Sequence, residues 1–181
     1  MSDPVYTGIG SRSTPQEILD HFITIGEVLA RLGFTLRSGG ADGADAAFEV
    51  GCDRGGGKKE IFLPWKRFNN NLSPHFEIPQ EAFEIAEDIY GSRWQFLKPS
   101  VKRLMARNIQ QILGKNLDSP SQCVICWTPD GCLNSAQRSI KTGGTGQAIS
   151  CAFENDIPVF NLSYHKTAEV IEFLSTAYGE C

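Results

Sequence analysis

Long apolar runs are missing from this sequence of 181 residues. None approaches the ~20 consecutive apolar residues that a membrane-spanning helix needs, which argues against a transmembrane protein. The first residues also lack the basic-then-apolar pattern of a signal peptide, so we expect a cytoplasmic protein. Hydrophobic residues make up 41% of the chain, enough for the core of one globular domain over residues 1–181.

Histidine is scarce, and no spacing typical of metal ligands occurs. His21, His75 and His165 lie far apart in the sequence. Cys123 and Cys126 have CxxC spacing, but they fall in a run typical of a buried strand, where residues three apart point to opposite faces. We therefore predict neither a metal site nor a bound cofactor, and we expect free thiols rather than disulfides.

Strong basic runs are also absent, and the net charge is −4. The nearest approach to a basic stripe is formed by Lys98, Lys102, Arg103 and Arg107. Proteins that bind duplex DNA usually have a stronger basic footprint. We interpret this stripe as a solvated helix face with one inward arginine, and we do not expect nucleic acid as a partner.

Strand-like and helix-like segments alternate along the chain. Predicted strands lie at 5–10, 34–37, 60–63, 122–127 and 157–161. Predicted helices lie at 15–32, 41–50, 80–90, 100–114, 144–155 and 165–178. This alternation predicts an α/β fold, a Rossmann-like three-layer sandwich with a mostly parallel central sheet. The irregular segment 64–79 predicts a functional loop.

Three glycine-rich loops are expected at the carboxyl ends of strands, at 8–13, 38–45 and 142–147. Ligands of open α/β sheets bind at this edge. Glycines let the backbone approach an anion, and a helix N-terminus adds a favourable dipole. Hydroxyl donors for phosphate oxygens are available from Ser11, Ser38, Thr142 and Thr145.

Two common phosphate-binding motifs are not present. No Gly-Lys-Ser/Thr follows a glycine at the spacing of a P-loop ATPase. The dinucleotide fingerprint fails in the first loop, where Ser13 occupies the position of the third glycine. The glycine-rich loops therefore indicate phosphate binding without indicating either of these classes.

The segments Thr7-Gly-Ile-Gly-Ser-Arg-Ser, Ser38-Gly-Gly-Ala-Asp-Gly-Ala-Asp and Thr142-Gly-Gly-Thr-Gly resemble the SLOG superfamily. This superfamily joins the DNA-processing protein A (Smf) group, the LOG phosphoribohydrolases and nucleotide-sensing domains. The resemblance runs from about residue 5 to 162 and implies a site for a nucleotide-like ligand. Together with the loops, it predicts ligand contacts from Gly8, Gly10, Ser11, Arg12, Ser38, Gly39, Gly40, Ala41, Asp42, Asn108, Trp127, Gly143, Gly144, Thr145, Gly146 and Gln147.

Members of the LOG branch carry a Met-x-x-Arg segment on a helix, and this sequence has Met105-Ala106-Arg107-Asn108. The resemblance implies that Arg107 lies near the sugar-phosphate and takes part in catalysis if there is any. A planar guanidinium suits a phosphate group. The alternative is that Arg107 pairs with a carboxylate at the helix surface.

The sequence departs from the LOG branch where those enzymes have Thr-x-Glu-Glu. Residues 147–151 read Gln-Ala-Ile-Ser-Cys, so the catalytic glutamate has no counterpart. Cleavage of an N-glycosidic bond needs a carboxylate near the sugar. The candidates are Asp42, Asp45, Glu49 and Asp130. Asp42 and Glu49 are seven apart and are predicted on one helix face, and we rank Asp45 and Asp42 above Glu49. Alternatively, Asp42 and Asp45 only cap the helix.

Trp65 and Trp127 follow predicted strands, and either could stack on a base or close the core under a loop. Three functions stay open. The first is a nucleoside-monophosphate N-glycosidase, and the second is a non-catalytic module that senses or sequesters a nucleotide signal such as an ADP-ribose derivative. Binding of single-stranded DNA is the third and the least favoured. The resemblance also implies a homo-oligomer.

Overall fold

The computed structural model describes residues 3–178 and contains a parallel five-stranded sheet. The strands are β1 (Val5–Gly8), β2 (Thr35–Ser38), β3 (Lys59–Ile61), β4 (Cys123–Cys126) and β5 (Val159–Asn161). Their order is β3-β2-β1-β4-β5, and every neighbouring pair is parallel. From β1 the chain adds β2 and then β3 on one side of the sheet, and it later adds β4 and β5 on the other side.

Helices cover both faces of this sheet. They are α1 (Gln16–Arg31), α2 (Ala44–Arg54), α3 (Gln80–Tyr90), α4 (Pro99–Leu113), α5 (Thr145–Glu154) and α6 (Thr167–Tyr178). This arrangement confirms the predicted Rossmann-like three-layer sandwich. Within residues 3–178, no helix combines the length and the apolar character that crossing a bilayer requires.

The sheet separates two hydrophobic cores. Helices α1, α2 and α6 enclose one core, in which Phe22, Phe48 and Leu174 are fully buried. Helices α3, α4 and α5 enclose the other core. Cys123 belongs to the first and Cys126 to the second, so the two thiols point to opposite faces as predicted. Burial raises the pKa of the Cys123 thiol to about 12, which keeps it protonated and inert.

Helix α2 begins later than the sequence predicts. We expected it from residue 41, but its first residue is Ala44. Gly40 and Gly43 have φ angles of +66° and +82°, which a right-handed helix does not accept. Asp42 lies between these glycines, outside the helix. The prediction that Asp42 and Glu49 share one helix face is therefore wrong.

The segment after β3 is irregular, as predicted, apart from a single short 3-10 turn at Phe68–Asn70. The Phe68 side chain is buried. The Asn69 amide donates hydrogen bonds to the Gly40 carbonyl at 3.2 Å and to an Asp42 oxygen at 2.9 Å. These bonds fasten the loop over the second glycine-rich turn, so it has a fixed place beside the sheet edge.

Helices α1 and α2 approach each other through glycine. A Cβ atom at Gly51 would lie 2.2 Å from the Ile23 carbonyl oxygen. Backbone atoms cannot move away as a flexible side chain can. The close crossing of α1 and α2 therefore requires glycine at position 51.

We predict that Gly51→Ala lowers the free energy of unfolding by about 1–3 kcal/mol, the usual cost of overpacking. Alanine favours an isolated helix by up to about 1 kcal/mol over glycine, but the contact with the backbone outweighs this gain. Denaturant titration measures the difference. Val50→Ala, at an exposed site on the same helix, is the control and should not be destabilised. A Gly51→Ala protein as stable as wild type would contradict the close crossing.

Candidate functional site

A cavity of about 370 Å³ opens at the carboxyl ends of the strands, where β1 lies beside β4. Strand order reverses at this position, and open α/β sheets bind ligands there. Four segments line the cavity. They are residues 9–12 after β1, Ala41 and Asp45 around the start of α2, residues 104–111 of α4, and residues 141–145 before and at the start of α5.

Arg107 projects from α4 into this region and is 4% exposed. Its Nη1 atom lies 3.8 Å from an Asp45 carboxylate oxygen, beyond hydrogen-bond distance. Its Cζ atom lies 6.0 Å from the centre of the Phe68 ring, within cation–π range. The Nε atom is buried and has no hydrogen-bond partner among the described residues. The guanidinium is therefore held in place while part of its donor capacity is unused.

Gly39 makes room for Arg107. A Cβ atom at position 39 would lie 1.3 Å from Nη1 of Arg107. The neighbouring donors and acceptors orient the Gln111 amide: with its oxygen towards Gly39 N, at 2.8 Å, and Arg107 Nη1, at 3.1 Å, it accepts from both, and its nitrogen then donates to Asn108. The second glycine-rich loop therefore positions the arginine rather than contacting the cavity through Gly39.

Asp45 is the carboxylate of the cavity. Burial raises its pKa to about 6, although Arg107 and the backbone N–H groups of Ala41 and Gly39 act in the opposite direction. The hydrogen bond from Ala41 N to the carboxylate measures 3.2 Å. A carboxyl group with a pKa this close to neutrality can exchange protons under physiological conditions, as a general acid or base must.

Positive charge dominates the lining. Arg12, Arg107 and Lys141 line the cavity together with the single carboxylate of Asp45. Arg12 and Arg107 are close enough for Arg12 to lower the pKa of Arg107, in addition to the larger effect of burial. Neither Arg12 nor Lys141 makes an ion pair within residues 3–178. The cavity therefore attracts an anion.

The third glycine-rich loop forms the opposite wall. Gly143 has a φ of +62°, a conformation that favours glycine. The Asn108 amide donates to the Gly144 carbonyl at 3.2 Å and ties the loop to α4. Thr142 and Ser139 donate to Asp130. Burial opposes ionisation of Asp130, but hydrogen bonds from Ser139, Thr142 and Thr128 lower its pKa to about 2. Asp130 therefore braces the loop as a carboxylate.

Many of the predicted site residues lie together in this cavity. Its lining includes Gly10, Ser11, Arg12, Ala41, Asp45, Arg107, Asn108, Gly143, Gly144 and Thr145. Other predicted residues lie outside the lining, namely Gly8, Ser38, Gly39, Gly40, Asp42, Glu49, Trp127, Gly146 and Gln147. The contacts of the second group explain their positions.

Three predicted ligand contacts are engaged elsewhere. The Ser38 hydroxyl is fully buried and donates to the Gly8 carbonyl at 2.7 Å. The Gln147 amide is fully buried and donates to the Ala86 carbonyl of α3 at 2.8 Å. Trp127 packs against the core beneath α1 and α2. The Ser38 hydroxyl and the Gln147 amide nitrogen therefore have structural roles, and a contact of partly buried Trp127 with the ligand stays a prediction.

Two of the predicted catalytic carboxylates also lie outside the cavity. Asp42 is exposed and accepts from Asn69. Glu49 is 3.5 Å from Lys59 Nζ and 3.4 Å from the Asn71 amide, in a separate polar cluster. Only Asp45 of the three ranked candidates lines the cavity, so the ranking of Asp42 beside Asp45 is corrected.

Five lining residues were not predicted as ligand contacts, namely Ile9, Leu104, Met105, Gln111 and Lys141. Thr142, predicted as a hydroxyl donor to phosphate, lines the cavity, but its hydroxyl donates to Asp130. Gln111 follows Arg107 by one helical turn, a spacing that could have identified it. Lys141 gave no comparable signal. In the Met-x-x-Arg segment the arginine follows the methionine by three positions, whereas Arg107 follows Met105 by two. The match of Arg107 to that segment therefore depends on its place on the helix.

Residues 3–178 contain no cluster of three or more potential metal ligands.

The comparisons with known proteins agree with the fold. No protein-family model matches the chain, and no curated protein matches it. Among solved structures, DNA processing protein A from Streptococcus pneumoniae is similar, with a TM-score of 0.52 and 20% sequence identity. The similarity covers 97% of this chain and 56% of that chain, so this chain spans about half the length of that protein. The likeness agrees with the Rossmann-like fold, and at this identity it concerns the fold alone.

Proposed function

We propose that the cavity binds the phosphate-bearing part of a nucleotide or of a related ribose-phosphate molecule. The observation that carries this proposal is Arg107, a buried guanidinium whose Nε has no protein partner and which lines a cavity of net positive charge. Buried charged donors are normally satisfied. A phosphate group in the cavity supplies the missing negative charge beside this guanidinium.

The shape of the cavity supports the same ligand class. Its volume of about 370 Å³ falls within the range of small-molecule sites. Glycine at positions 143 and 144 leaves backbone atoms accessible, and Thr145 begins helix α5 beside them. Accessible N–H groups at a helix N-terminus favour an anion.

Hydrolysis of an N-glycosidic bond is the second candidate, and Asp45 favours it. This carboxylate lines the same cavity as Arg107 and has a pKa raised to about 6. In the proposed reaction, ionised Asp45 accepts a proton from water. The water oxygen bonds to the anomeric carbon, and the bond to the base breaks with its electron pair leaving on the base. If this chemistry is absent, the protein is a nucleotide-binding module that senses or sequesters its ligand.

Binding of nucleic acid and formation of a homo-oligomer stay predictions. The similar solved protein is named for DNA processing, so single-stranded oligonucleotides belong in the same binding panel despite the acidic net charge of −4. The homo-oligomer implied by the resemblance is compatible with exposed apolar side chains such as Phe96 and Ile140. Light scattering of the purified protein measures its oligomeric state.

The first functional prediction concerns Arg107 and uses adenosine monophosphate. Arg107→Lys keeps the charge but loses the planar fork, so binding should weaken by about 1–3 kcal/mol. Isothermal titration measures the affinity. Arg103→Lys on the same helix is the control, because Arg103 bonds to the Pro64 carbonyl and does not line the cavity.

Adenosine without its phosphate completes the test of that contact. Loss of the phosphate should cost wild type far more affinity than it costs Arg107→Ala, since only the wild type has the guanidinium partner. Equal losses in the two proteins would mean that Arg107 and the phosphate do not interact.

The second prediction concerns Gly144, whose φ of −65° and ψ of −26° suit any residue. A Cβ atom there would meet only the mobile end of Met105, at 3.4 Å. Gly144→Val should therefore fold cooperatively but abolish binding of adenosine monophosphate by filling the cavity. The control variant Ala168→Val changes an exposed position on α6 and should bind adenosine monophosphate as wild type does. Unchanged affinity in folded Gly144→Val would remove this loop from the site.

The third prediction concerns catalysis by Asp45. If wild type releases base from adenosine monophosphate, Asp45→Asn should lower turnover by about 10²–10⁴-fold with little change in affinity. Wild-type turnover should fall as pH drops through about 6, because the reactive form of Asp45 is the carboxylate. Exposed Asp42→Asn is the matched control and should retain turnover. Chromatography of the released base measures the rate; no release by wild type would exclude hydrolysis of this nucleotide and leave the binding proposal standing.

A further inference from the structure

A second cavity of about 690 Å³ adjoins the first. The two cavities share Met105, Gly143 and Gly144 as lining residues. The glycine pair and the flexible Met105 side chain therefore form the ridge between them, since Cε of Met105 would lie 3.4 Å from a Cβ atom at Gly144. A ligand bound in the first cavity can extend across this ridge.

The second cavity also carries unbalanced positive charge. Arg93 and Arg138 line it, and no carboxylate does. Neither arginine makes an ion pair in the part of the chain that the structure describes. Burial lowers the pKa of Arg138, and Arg93 acts in the same direction, whereas Cys132, Tyr90 and Glu154 act in the opposite direction. Two uncompensated guanidinium groups in one cavity favour an anionic occupant.

Uncharged groups of the second cavity fit the same occupant. The Ser135 hydroxyl is buried and has no hydrogen-bond partner among the described residues. Ser135, Tyr90 and fully exposed Ile140 belong to the lining. The aromatic ring and the apolar side chain offer surfaces for a base.

We propose that the natural ligand occupies both cavities and is a small dinucleotide with two phosphate groups separated by a sugar. One phosphate binds at Arg107 and the second binds at Arg93 and Arg138, with the linking sugar over Gly143 and Gly144. This inference rests on the proposed function, because it assigns the first phosphate to the first cavity. A ligand with a single phosphate leaves both arginines of the second cavity unpaired.

The experiment compares adenosine monophosphate with 5′-phosphorylated diadenylate by isothermal titration at one fixed salt concentration. We expect wild type to bind the diadenylate at least about 10-fold more tightly, the worth of one or two charge-assisted hydrogen bonds. Arg93→Gln and Arg138→Gln should each remove most of this gain and leave the affinity for adenosine monophosphate unchanged. Arg54→Gln removes one exposed charge outside both cavities and should keep the full gain.

Arg138 also donates to the Ser150 hydroxyl at 3.3 Å, so thermal denaturation checks that Arg138→Gln folds. Arg93 is exposed, and its variant keeps the test valid if Arg138→Gln does not fold. Equal affinity of wild type for both ligands would overturn the inference and leave the proposed function intact. Binding of neither ligand would overturn both. A further gain of about 10-fold with a phosphorylated triadenylate would also overturn the dinucleotide class, because the occupant would then be a nucleic acid strand.

Discussion

The contact between Arg107 and the backbone at Gly39 governs the geometry of the site. The guanidinium occupies the space in which a side chain at position 39 would begin, 1.3 Å from a Cβ atom there. Helix α4 and the loop after β2 can therefore approach only with glycine at this position. Gln111 fixes the approach by bonding both partners at once. One backbone requirement thus places a cation beneath a cavity at the edge of the sheet.

Burial of that cation determines the electrostatics around it. Asp45 lies 3.8 Å from Arg107, and both side chains are almost inaccessible. A buried pair at this distance recovers less of its desolvation cost than a hydrogen-bonded pair does, and accordingly the pKa of Asp45 is raised to about 6 despite the neighbouring cation. An anion in the cavity would compensate Arg107 and Arg12, and we therefore expect its binding to raise the pKa of Asp45 further.

Local patterns in the sequence were sufficient to predict the parallel sheet, the presence of six helices and an inward-facing arginine on α4. The predicted helix at 80–90 matches α3, and strand-helix alternation gave the parallel sheet. The predictions failed where tertiary contacts decide. The sequence makes Ser38 a candidate hydrogen-bond donor to phosphate, but its hydroxyl donates to the Gly8 carbonyl. Asp42 resembles a first-turn carboxylate, but glycines with positive φ delay the helix. Lys141 lines the cavity because of the path of the loop before α5. A pattern of apolar and polar residues does not predict the path of a loop.

Most of helix α5 packs into the protein interior. Aligned with Thr-x-Glu-Glu, the two glutamate positions are Ile149 and Ser150, and both side chains are fully buried. Ile149 belongs to the core beneath α3 and α4, where an unpaired carboxylate would be costly. Gln147, two residues before Ile149, bonds to α3 instead of facing the cavity. Helix α5 therefore contributes only its first residues to the site. Within the lining of the cavity the carboxylate is Asp45, which α2 supplies.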